Sequence, residues 1–422
     1  MKILVVGSGG REHAIIKKLA ESSKVDAIYC APGNGGISQL ATCVNIGALD
    51  VEAMVAFAKQ EKMDMVVVAP DDPLAKGMVD AMLAEGIPAF GPAANAAIIE
   101  ASKAFSKDLM KKYNIPTATY EIFTDSASAI AYLEAQNKFP VVVKADGLAL
   151  GKGVIIAEDL EAAKAAVLDM MEDKVFGNAG SRVVIEEFLT GPEVSVLAFT
   201  DGTTMCPMVS AQDHKRVFDY DKGPNTGGMG TFSPSRIYSE ELADVCMETI
   251  FLPTMHAMNA EGRKFKGVLY FGLMITADGP KVIEYNCRFG DPETQVVLPR
   301  LKTDLVDIFQ AVIDERLSEI TVEWEDNAAV CVILASGGYP GSYPKGYPIS
   351  GLEDALALGN TYVYHAGTKK LEDGTFVTNG GRVLGVTATA ENLDAAIAHA
   401  YKAVEKVTFQ DAHYRKDIGI KK

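Results

Sequence analysis

The first hundred residues contain short apolar runs that each end in a loop rich in glycine or proline. The runs at residues 2–6, 27–30 and 65–68 are followed by such loops at residues 7–10, 31–35 and 70–73, and a helical stretch of about residues 12–22 separates the first two runs. This alternation predicts an α/β domain with a doubly wound parallel sheet covered by helices. Ligands of such sheets bind at the carboxyl ends of the strands, where these loops lie.

The pattern changes near residue 102, and 422 residues suggest roughly two to four domains. Residues 102–113 and 160–171 are predicted helices, and residues 139–144, 154–156 and 183–188 are predicted strands. Residues 267–276 and 281–286 resemble two antiparallel strands around a turn at 277–280. The last 95 or so residues form another unit, with strands at 328–334 and 382–388 and a helix at 393–407. These regions indicate α+β domains.

Composition excludes several classes of protein. With 40 basic and 56 acidic residues the net charge is −16, which does not suit a nucleic-acid-binding protein. No apolar run reaches the ~20 residues of a membrane span, and residues 1–7 resemble a buried strand rather than a signal peptide. The six cysteines are scattered without a paired motif, so we expect reduced thiols, a cytoplasmic protein and no structural zinc.

The first glycine loop, at residues 7–13, superficially matches the dinucleotide fingerprint. Glu12 occupies the position of its third glycine, and the second strand ends without the acidic residue that binds a ribose. Nicotinamide-cofactor binding is therefore disfavoured. The start of the helix suits a phosphate or carboxylate, and a tight turn without a ligand is an equally good interpretation.

The segment at residues 144–153 resembles a P-loop, but its glycine spacing is one residue short and Gly153 stands where Ser or Thr would bind magnesium. The segment also joins two predicted strands. Its Gly and Lys content favours a flap that folds over a triphosphate, with Lys144 touching the phosphates. The alternative is a mobile surface hairpin.

The segment at residues 282–293 combines an acid, an amide and a guanidinium. Alternation along a strand places Glu284, Asn286 and Arg288 on one face. Oxygen ligands two residues apart suit magnesium, which also takes phosphate oxygens and water. Arg288 could hold a carboxylate or the transferred phosphoryl group. A salt-bridged strand face is less favoured, because Asp291 and Glu293 crowd the same turn.

Two weaker motifs complete the set. Glu186 and Glu187 end a predicted strand before a turn at residues 191–192, where a crossing between lobes could contact adenine and ribose. Residues 212–216 and 223–230 combine ionisable residues with four glycines, which is typical of a functional loop. His214 could be a general base, but a single histidine is more often a bystander.

These motifs, in this order, resemble the ATP-grasp superfamily and, within it, the glycinamide ribonucleotide synthetase family, over essentially the whole chain. The resemblance rests on residues 7–13, 31–36, 144–153, 212–216 with 223–230, and 284–293. One departure is visible at residues 70–74, Pro-Asp-Asp-Pro-Leu, where the family usually has Gly-Pro-Glu-Ala-Pro-Leu. An acid is retained there, but either aspartate could replace the glutamate.

The resemblance implies a ligase of purine biosynthesis that uses ATP with Mg²⁺ or Mn²⁺ to join glycine to 5-phosphoribosylamine through glycyl phosphate. It implies catalytic roles for Lys144 and Arg288, and metal binding by Glu284 and Asn286. The implied ATP-binding residues are Lys103, Lys144, Gly151, Lys152, Gly153, Glu186, Glu187, Leu189 and Glu193. The implied substrate-binding residues are Gly9, Arg11, Asn34, Asp213, Lys215, Arg216 and Arg288.

The implied domains are an N-terminal substrate-binding domain (1–101), an ATP-grasp body (102–120 and 192–327), a lid over ATP (121–191) and a C-terminal domain (328–422). We expect a monomer or small homo-oligomer without nucleic-acid or membrane partners. Alternatives are another ATP-grasp carboxylate–amine ligase or carboxylase, a regulatory ATP-binding protein and a Rossmann oxidoreductase. The regulatory alternative is disfavoured because an idle site needs no metal ligands.

Overall fold

The computed structural model describes residues 1–148 and 153–420. Its N-terminal sheet is fully parallel, in the order β3-β2-β1-β4-β5. The elements of this unit are β1 (Lys2–Gly7), α1 (Gly10–Leu19), β2 (Ala27–Pro32), β3 (Thr42–Cys43), α2 (Val51–Gln60), β4 (Met65–Val68), α3 (Asp71–Ala75), α4 (Met78–Ala84), β5 (Ala89–Phe90) and α5 (Ala94–Ala101). The predicted parallel sheet is confirmed.

A second sheet is antiparallel, with the order β6-β9-β7-β8. Its elements, with the helix that precedes it, are α6 (Lys103–Lys112), β6 (Tyr120–Phe123), α7 (Ser126–Gln136), β7 (Val141–Ala145), β8 (Val154–Ala157), α8 (Leu160–Met171) and β9 (Val183–Glu187). Its core consists of small and branched apolar side chains shared by the sheet and the two helices α7 and α8. As predicted, the glycine-rich segment after Lys144 joins two antiparallel strands.

The central sheet has the order β11-β10-β16-β17. This region contains β10 (Glu193–Thr200), β11 (Met205–Pro207), β12 (Gln212–Asp213), β13 (Arg216–Phe218), β14 (Lys222–Asn225), β15 (Gly230–Ser233), α9 (Glu240–Cys246), α10 (Leu252–Ala260), β16 (Gly267–Thr276), β17 (Gly279–Asn286), α11 (Thr294–Val297) and α12 (Leu305–Ile313). The predicted hairpin is confirmed, since β16 and β17 pair antiparallel around a short turn.

The C-terminal sheet has the order β12-β15-β18-β22-β19. The elements after α12 are β18 (Ala328–Ala335), α13 (Leu352–Leu356), β19 (Thr361–His365), β20 (Thr368–Lys370), β21 (Phe376–Thr378), β22 (Arg382–Ala390) and α14 (Leu393–Val404). All eight residues of β18 are buried because the strand lies in the middle of this sheet. Strands β12 and β15 come from the predicted body, so the sheet crosses the predicted limit at residue 328, and the domain limits stay a prediction.

Capping residues set the helix ends near the functional residues. The Ser102 hydroxyl accepts a hydrogen bond from the Phe105 N–H and starts α6 at Lys103. Helix α1 covers residues 10–19 rather than 12–22, because it begins directly at the Gly9 cap. Helix α14 ends at residue 404, three residues before its predicted end. Among the described helices, none combines the length and apolar character needed to cross a membrane.

Candidate active site

Strand β17 presents a carboxylate to a lysine from the loop after β12. The Lys215 Nζ lies 3.4 Å from the Glu284 Oε1 and 3.4 Å from the Glu193 Oε2. Lys215 lowers the pKa of Glu284 to about 2, and Glu284 in turn raises the pKa of Lys215. Glu284 is therefore ionised at neutral pH, as a cation-binding carboxylate must be.

Arg288 lies just beyond the end of β17, beside Asn286. Its Nη2 donates to the Glu100 Oε1 at 2.8 Å and to the Asn286 Oδ1 at 3.3 Å, and its Nη1 donates to the Phe289 carbonyl at 3.3 Å. Its buried Nε has no partner within the described ranges. Glu100 also accepts the Cys287 N–H at 2.7 Å. Burial raises the pKa of Glu100, and Arg288 opposes that rise. The arrangement fixes the guanidinium in place, and 18% of the side chain stays exposed to a ligand.

The sequence motifs do not identify Glu100 as a residue of the site. It is the one acid in α5, whose other residues are apolar except for Asn95, and only 7% of it is exposed. A carboxylate in such a position is rarely buried without a partner, which is the signal that could have identified it.

Lys144 connects β7 to the central sheet. Its Nζ donates to the Glu186 Oε2 at 3.0 Å and to the Ile283 carbonyl of β17 at 3.2 Å. A second lysine, Lys107, lies 3.1 Å from the same Glu186 oxygen. Burial lowers the pKa of Lys107 to about 8, and Glu186 opposes this. The other carboxylate oxygen of Glu186 is buried and has no partner among the residues that the structure describes.

The remaining predicted nucleotide residues surround this group. The Lys103 Nζ donates to the Gly147 carbonyl at 3.1 Å, and burial lowers the pKa of Lys103. Glu187 is exposed and accepts the Thr119 N–H at 2.9 Å. Leu189 lies between β9 and β10, and the Gly153 carbonyl accepts the Ala145 N–H at 2.8 Å. The predicted residues Gly151 and Lys152 lie outside the described residues.

On the predicted acceptor side, Asp213 lies close to Lys215 and to a second acid, Glu293. Burial raises the pKa of Asp213 to about 8, although Lys215 opposes the rise. The buried Glu293 accepts hydrogen bonds from the Tyr270 hydroxyl at 3.1 Å and the Ser195 hydroxyl at 3.5 Å. Arg216 points elsewhere, because its Nη1 donates to the Gly223 carbonyl at 2.7 Å.

A cavity of about 340 Å³ lies between the loops of the N-terminal sheet and the C-terminal domain. It opens beside Asp291, three residues after Arg288. Its lining residues are Ser8, Gly9, Gly33, Asn34, Asp291, Tyr339, Tyr343, Ala366, Gly367, Thr368, Asn379, Gly381 and Arg382. Two of the predicted substrate residues, Gly9 and Asn34, therefore lie in its wall.

The start of α1 is occupied by carboxylates of the chain itself. The Gly9 N–H donates to the Glu12 Oε2 at 2.5 Å, and the Arg11 N–H donates to the Asp291 Oδ2 at 3.3 Å. The Arg11 guanidinium donates to Glu12 and to the Phe289 carbonyl, and Arg11 is not among the lining residues. Glu12 thus fills the space that a third glycine would leave open, against the turn at Gly7.

The sequence motifs do not identify Arg382 as a residue of the site either. Its Nη1 donates to the Gly227 carbonyl at 2.8 Å and to the Asp291 carbonyl at 2.9 Å, while its Nη2 lies 3.6 Å from the Asp291 Oδ1. The Tyr339 hydroxyl accepts the Gly227 N–H at 3.1 Å. Two side chains of the cavity wall therefore hold the glycine-rich loop next to the turn that carries Arg288.

Comparison with known proteins places this architecture. Family models described as the N domain, the ATP-grasp (A) domain and the C domain of phosphoribosylglycinamide synthetase match residues 1–100, 101–294 and 329–421. The phosphoribosylamine–glycine ligase of Halalkalibacterium halodurans is 53% identical over 421 residues, covering 100% of this chain and 97% of that protein.

Solved structures agree in fold. The phosphoribosylamine–glycine ligase of Thermotoga maritima is 32% identical with a TM-score of 0.86, covering 99% of this chain and 100% of that one. The biotin carboxylase of Campylobacter jejuni, solved as a β-γ-ATP complex, has a TM-score of 0.75 at 14% identity, covering 99% and 94%, and shows the fold alone. The predicted fold class and family resemblance are confirmed. The chain therefore belongs to the phosphoribosylglycinamide synthetase family and is an ATP-dependent ligase built on the ATP-grasp fold.

Proposed function

We propose that the chain catalyses the purine-biosynthetic joining of glycine to 5-phosphoribosylamine, giving glycinamide ribonucleotide, ADP and phosphate. The observation that carries the proposal is that two lysines from separate segments contact the end of β17, beside which Arg288 lies. Lys144 contacts the Ile283 carbonyl, Lys215 contacts Glu284, and Arg288 contacts Asn286. Such a concentration of positive charge suits phosphoryl transfer, which depends on positioning and charge neutralisation.

In the first step, a carboxylate oxygen of glycine attacks the γ-phosphorus of ATP. The bond to the β–γ bridging oxygen breaks and ADP leaves. In the second step, the amine nitrogen of phosphoribosylamine attacks the acyl carbon, the bond from carbon to the phosphate oxygen breaks, and the nitrogen loses a proton. Arg288 holds the reacting carboxylate or the charge that develops on the transferred group, since Glu100 fixes the guanidinium while 18% of the side chain stays exposed.

The nucleotide lies between the second sheet and β17, with Lys144 and Lys103 on its phosphates. Support comes from the buried Glu186 Oε1, an acceptor that has no partner among the described residues, on the carboxylate that Lys144 contacts. Glu187, Leu189 and Glu193 line the adenosine end, on the segment that joins the two sheets.

Glu284 and Asn286 would hold Mg²⁺ or Mn²⁺, and their chemistry fits a metal that also takes phosphate oxygens. Glu284 is kept ionised by Lys215, and the Asn286 amide oxygen receives one long bond, from Arg288. Within residues 1–148 and 153–420 no cluster of three or more His, Cys, Asp or Glu side chains could hold a metal by itself. When bound, the metal neutralises phosphate charge.

The 340 Å³ cavity is the site for the phosphoribosylamine. It opens at Asp291, close to Arg288, so an amine held there faces the acyl carbon. The helix start at Gly9 is already satisfied by Glu12, which leaves the segment from Asn379 to Arg382 to receive the sugar phosphate.

The test is a coupled assay with ATP, Mg²⁺, glycine and freshly generated phosphoribosylamine, which reads ADP release and product mass together. We expect equal amounts of ADP and glycinamide ribonucleotide, and neither without glycine. ADP release supported by a different carboxylate, without this product, would retain the nucleotide site and refute the proposed substrates.

Replacing Asn379 with aspartate tests the phosphate position. The substitution preserves shape but adds a negative charge to the cavity wall, so we expect the KM for phosphoribosylamine to rise about tenfold or more, with the KM for ATP unchanged. Asn392→Asp is the matched control, because it adds the same charge at the exposed cap of α14, where aspartate also caps. An unchanged KM in Asn379→Asp would place the phosphate elsewhere.

A further inference from the structure

One carboxylate, Glu186, is shared by two buried lysines. Its Oε2 lies 3.0 Å from the Lys144 Nζ and 3.1 Å from the Lys107 Nζ. Between 2% and 5% of each of these side chains is exposed. A single carboxylate needs only one cation for neutrality, so the second lysine calls for an explanation.

The two lysines differ in their contacts with groups other than Glu186. Lys107 is tied to the segment just before the second sheet, donating to the Thr117 hydroxyl at 2.7 Å and to the Ala118 carbonyl at 3.4 Å. Its ammonium also lies 5.6 Å from the centroid of the Tyr120 ring. Lys144 has one further partner, the Ile283 carbonyl of β17. Lys107 is therefore the more firmly anchored of the two.

The difference in anchoring between the two lysines matters when a nucleotide binds. This step rests on the proposed function, in which Lys144 binds the triphosphate. If Lys144 moves toward the phosphates, its bond to Glu186 weakens. A buried carboxylate that loses its only cation is strongly destabilised. Lys107, which stays in place, removes that cost.

We propose that Lys107 is a positioning residue of the nucleotide site: it is the permanent counter-charge of Glu186 and so releases Lys144 to the triphosphate. It also leaves the Glu186 Oε1, which has no partner among the described residues, available to a donor of the ligand. Lys107 does not touch the reacting atoms, so it acts through Glu186 and Lys144 on nucleotide affinity and not on the transfer step.

The test is a double-mutant cycle on the full chain, with Mg²⁺ and a non-hydrolysable ATP analogue titrated by calorimetry. Lys107→Met should raise the Kd of the analogue about tenfold or more, because Lys144 is then the only cation among the described residues that contacts Glu186. In the Glu186→Gln background the same substitution should change the Kd less than about threefold, because residue 186 then carries no negative charge that a lysine must compensate. In turnover, the KM for ATP rises while kcat changes little.

Two variants serve as controls. Lys111→Met alters another lysine of α6 that lies over the same Tyr120 ring at 5.6 Å but has no bond to Glu186, and it should bind the analogue like the wild type. Lys107→Arg retains the charge and should keep the Kd within about threefold of the wild type. If Lys107→Met fails to fold, the Kd of Lys107→Arg still tests the role of the positive charge at this position.

The outcomes separate this inference from the proposed function. If Lys144→Met leaves the analogue's affinity unchanged, the assignment of Lys144 to the triphosphate is wrong. If Lys144→Met weakens binding but Lys107→Met has the same effect in both backgrounds, or Lys107→Arg weakens binding as much as Lys107→Met does, only the role of Lys107 is overturned.

Discussion

Replacing Arg288 with methionine should lower kcat about 10³-fold while the affinity for ATP stays within about threefold. The reason is the position of the guanidinium: Glu100, Asn286 and the Phe289 carbonyl hold it, and 18% of the side chain stays exposed to a ligand. A group of this kind stabilises charge that develops in the transition state, and 10³-fold corresponds to about 4 kcal/mol of the barrier. The measurement combines the coupled ADP and product assay with calorimetric titration of ATP.

Loss of the guanidinium leaves Glu100 without its ionic partner, so the experiment needs a control for a folding defect. Burial already raises the pKa of Glu100, so the carboxyl group can take up a proton when Arg288 is removed. The double variant Arg288→Met/Glu100→Gln should therefore unfold at a temperature near that of the single variant. Arg316→Met, at an exposed arginine paired with Asp314 and Glu319, controls for the loss of an arginine as such. Near-normal kcat in Arg288→Met would remove this residue from the transfer step.

Much of this site could be predicted because its residues lie in continuous segments. The glycine-rich segment after Lys144 is bounded by two apolar runs, which makes a hairpin predictable from local pattern. Glu284 and Asn286 lie two residues apart in β17, so strand alternation alone places them on one face, and Arg288 follows two residues later, just beyond the end of the strand. Their roles stay a prediction, but their proximity required no tertiary information.

The residues that hold these groups could not be predicted in the same way. Glu100 meets Arg288 across 188 positions of sequence, and Arg382 meets the Asp291 carbonyl across 91. Neither pair leaves a local periodic signal, because the contacts form only when the domains pack. The same holds for β15, whose four residues pair with β18 almost a hundred residues later.

The electrostatic environment of a buried residue could not be predicted from the sequence either. Lys107 occupies an ordinary position in an amphipathic helix, where a lysine is normally solvated. Its burial follows from the packing of the second sheet against α6, which brings Glu186 within 3.1 Å. The proposed counter-charge role therefore depends on a three-dimensional contact between residues 79 positions apart.

Replacing Glu284 with glutamine should raise the Mg²⁺ concentration needed for half-maximal activity and lower kcat/KM for ATP about 10²-fold at limiting metal. The substitution keeps the shape and one oxygen but removes the charge that Lys215 now holds ionised. Excess Mg²⁺ should recover part of the activity, since Asn286 and the ATP phosphates still offer ligands. Asp278→Asn is the matched control, because Asp278 is exposed at the turn of the same β16–β17 hairpin. A Mg²⁺ dependence identical to that of the wild type would exclude Glu284 as a metal ligand and leave it as the partner of Lys215 alone.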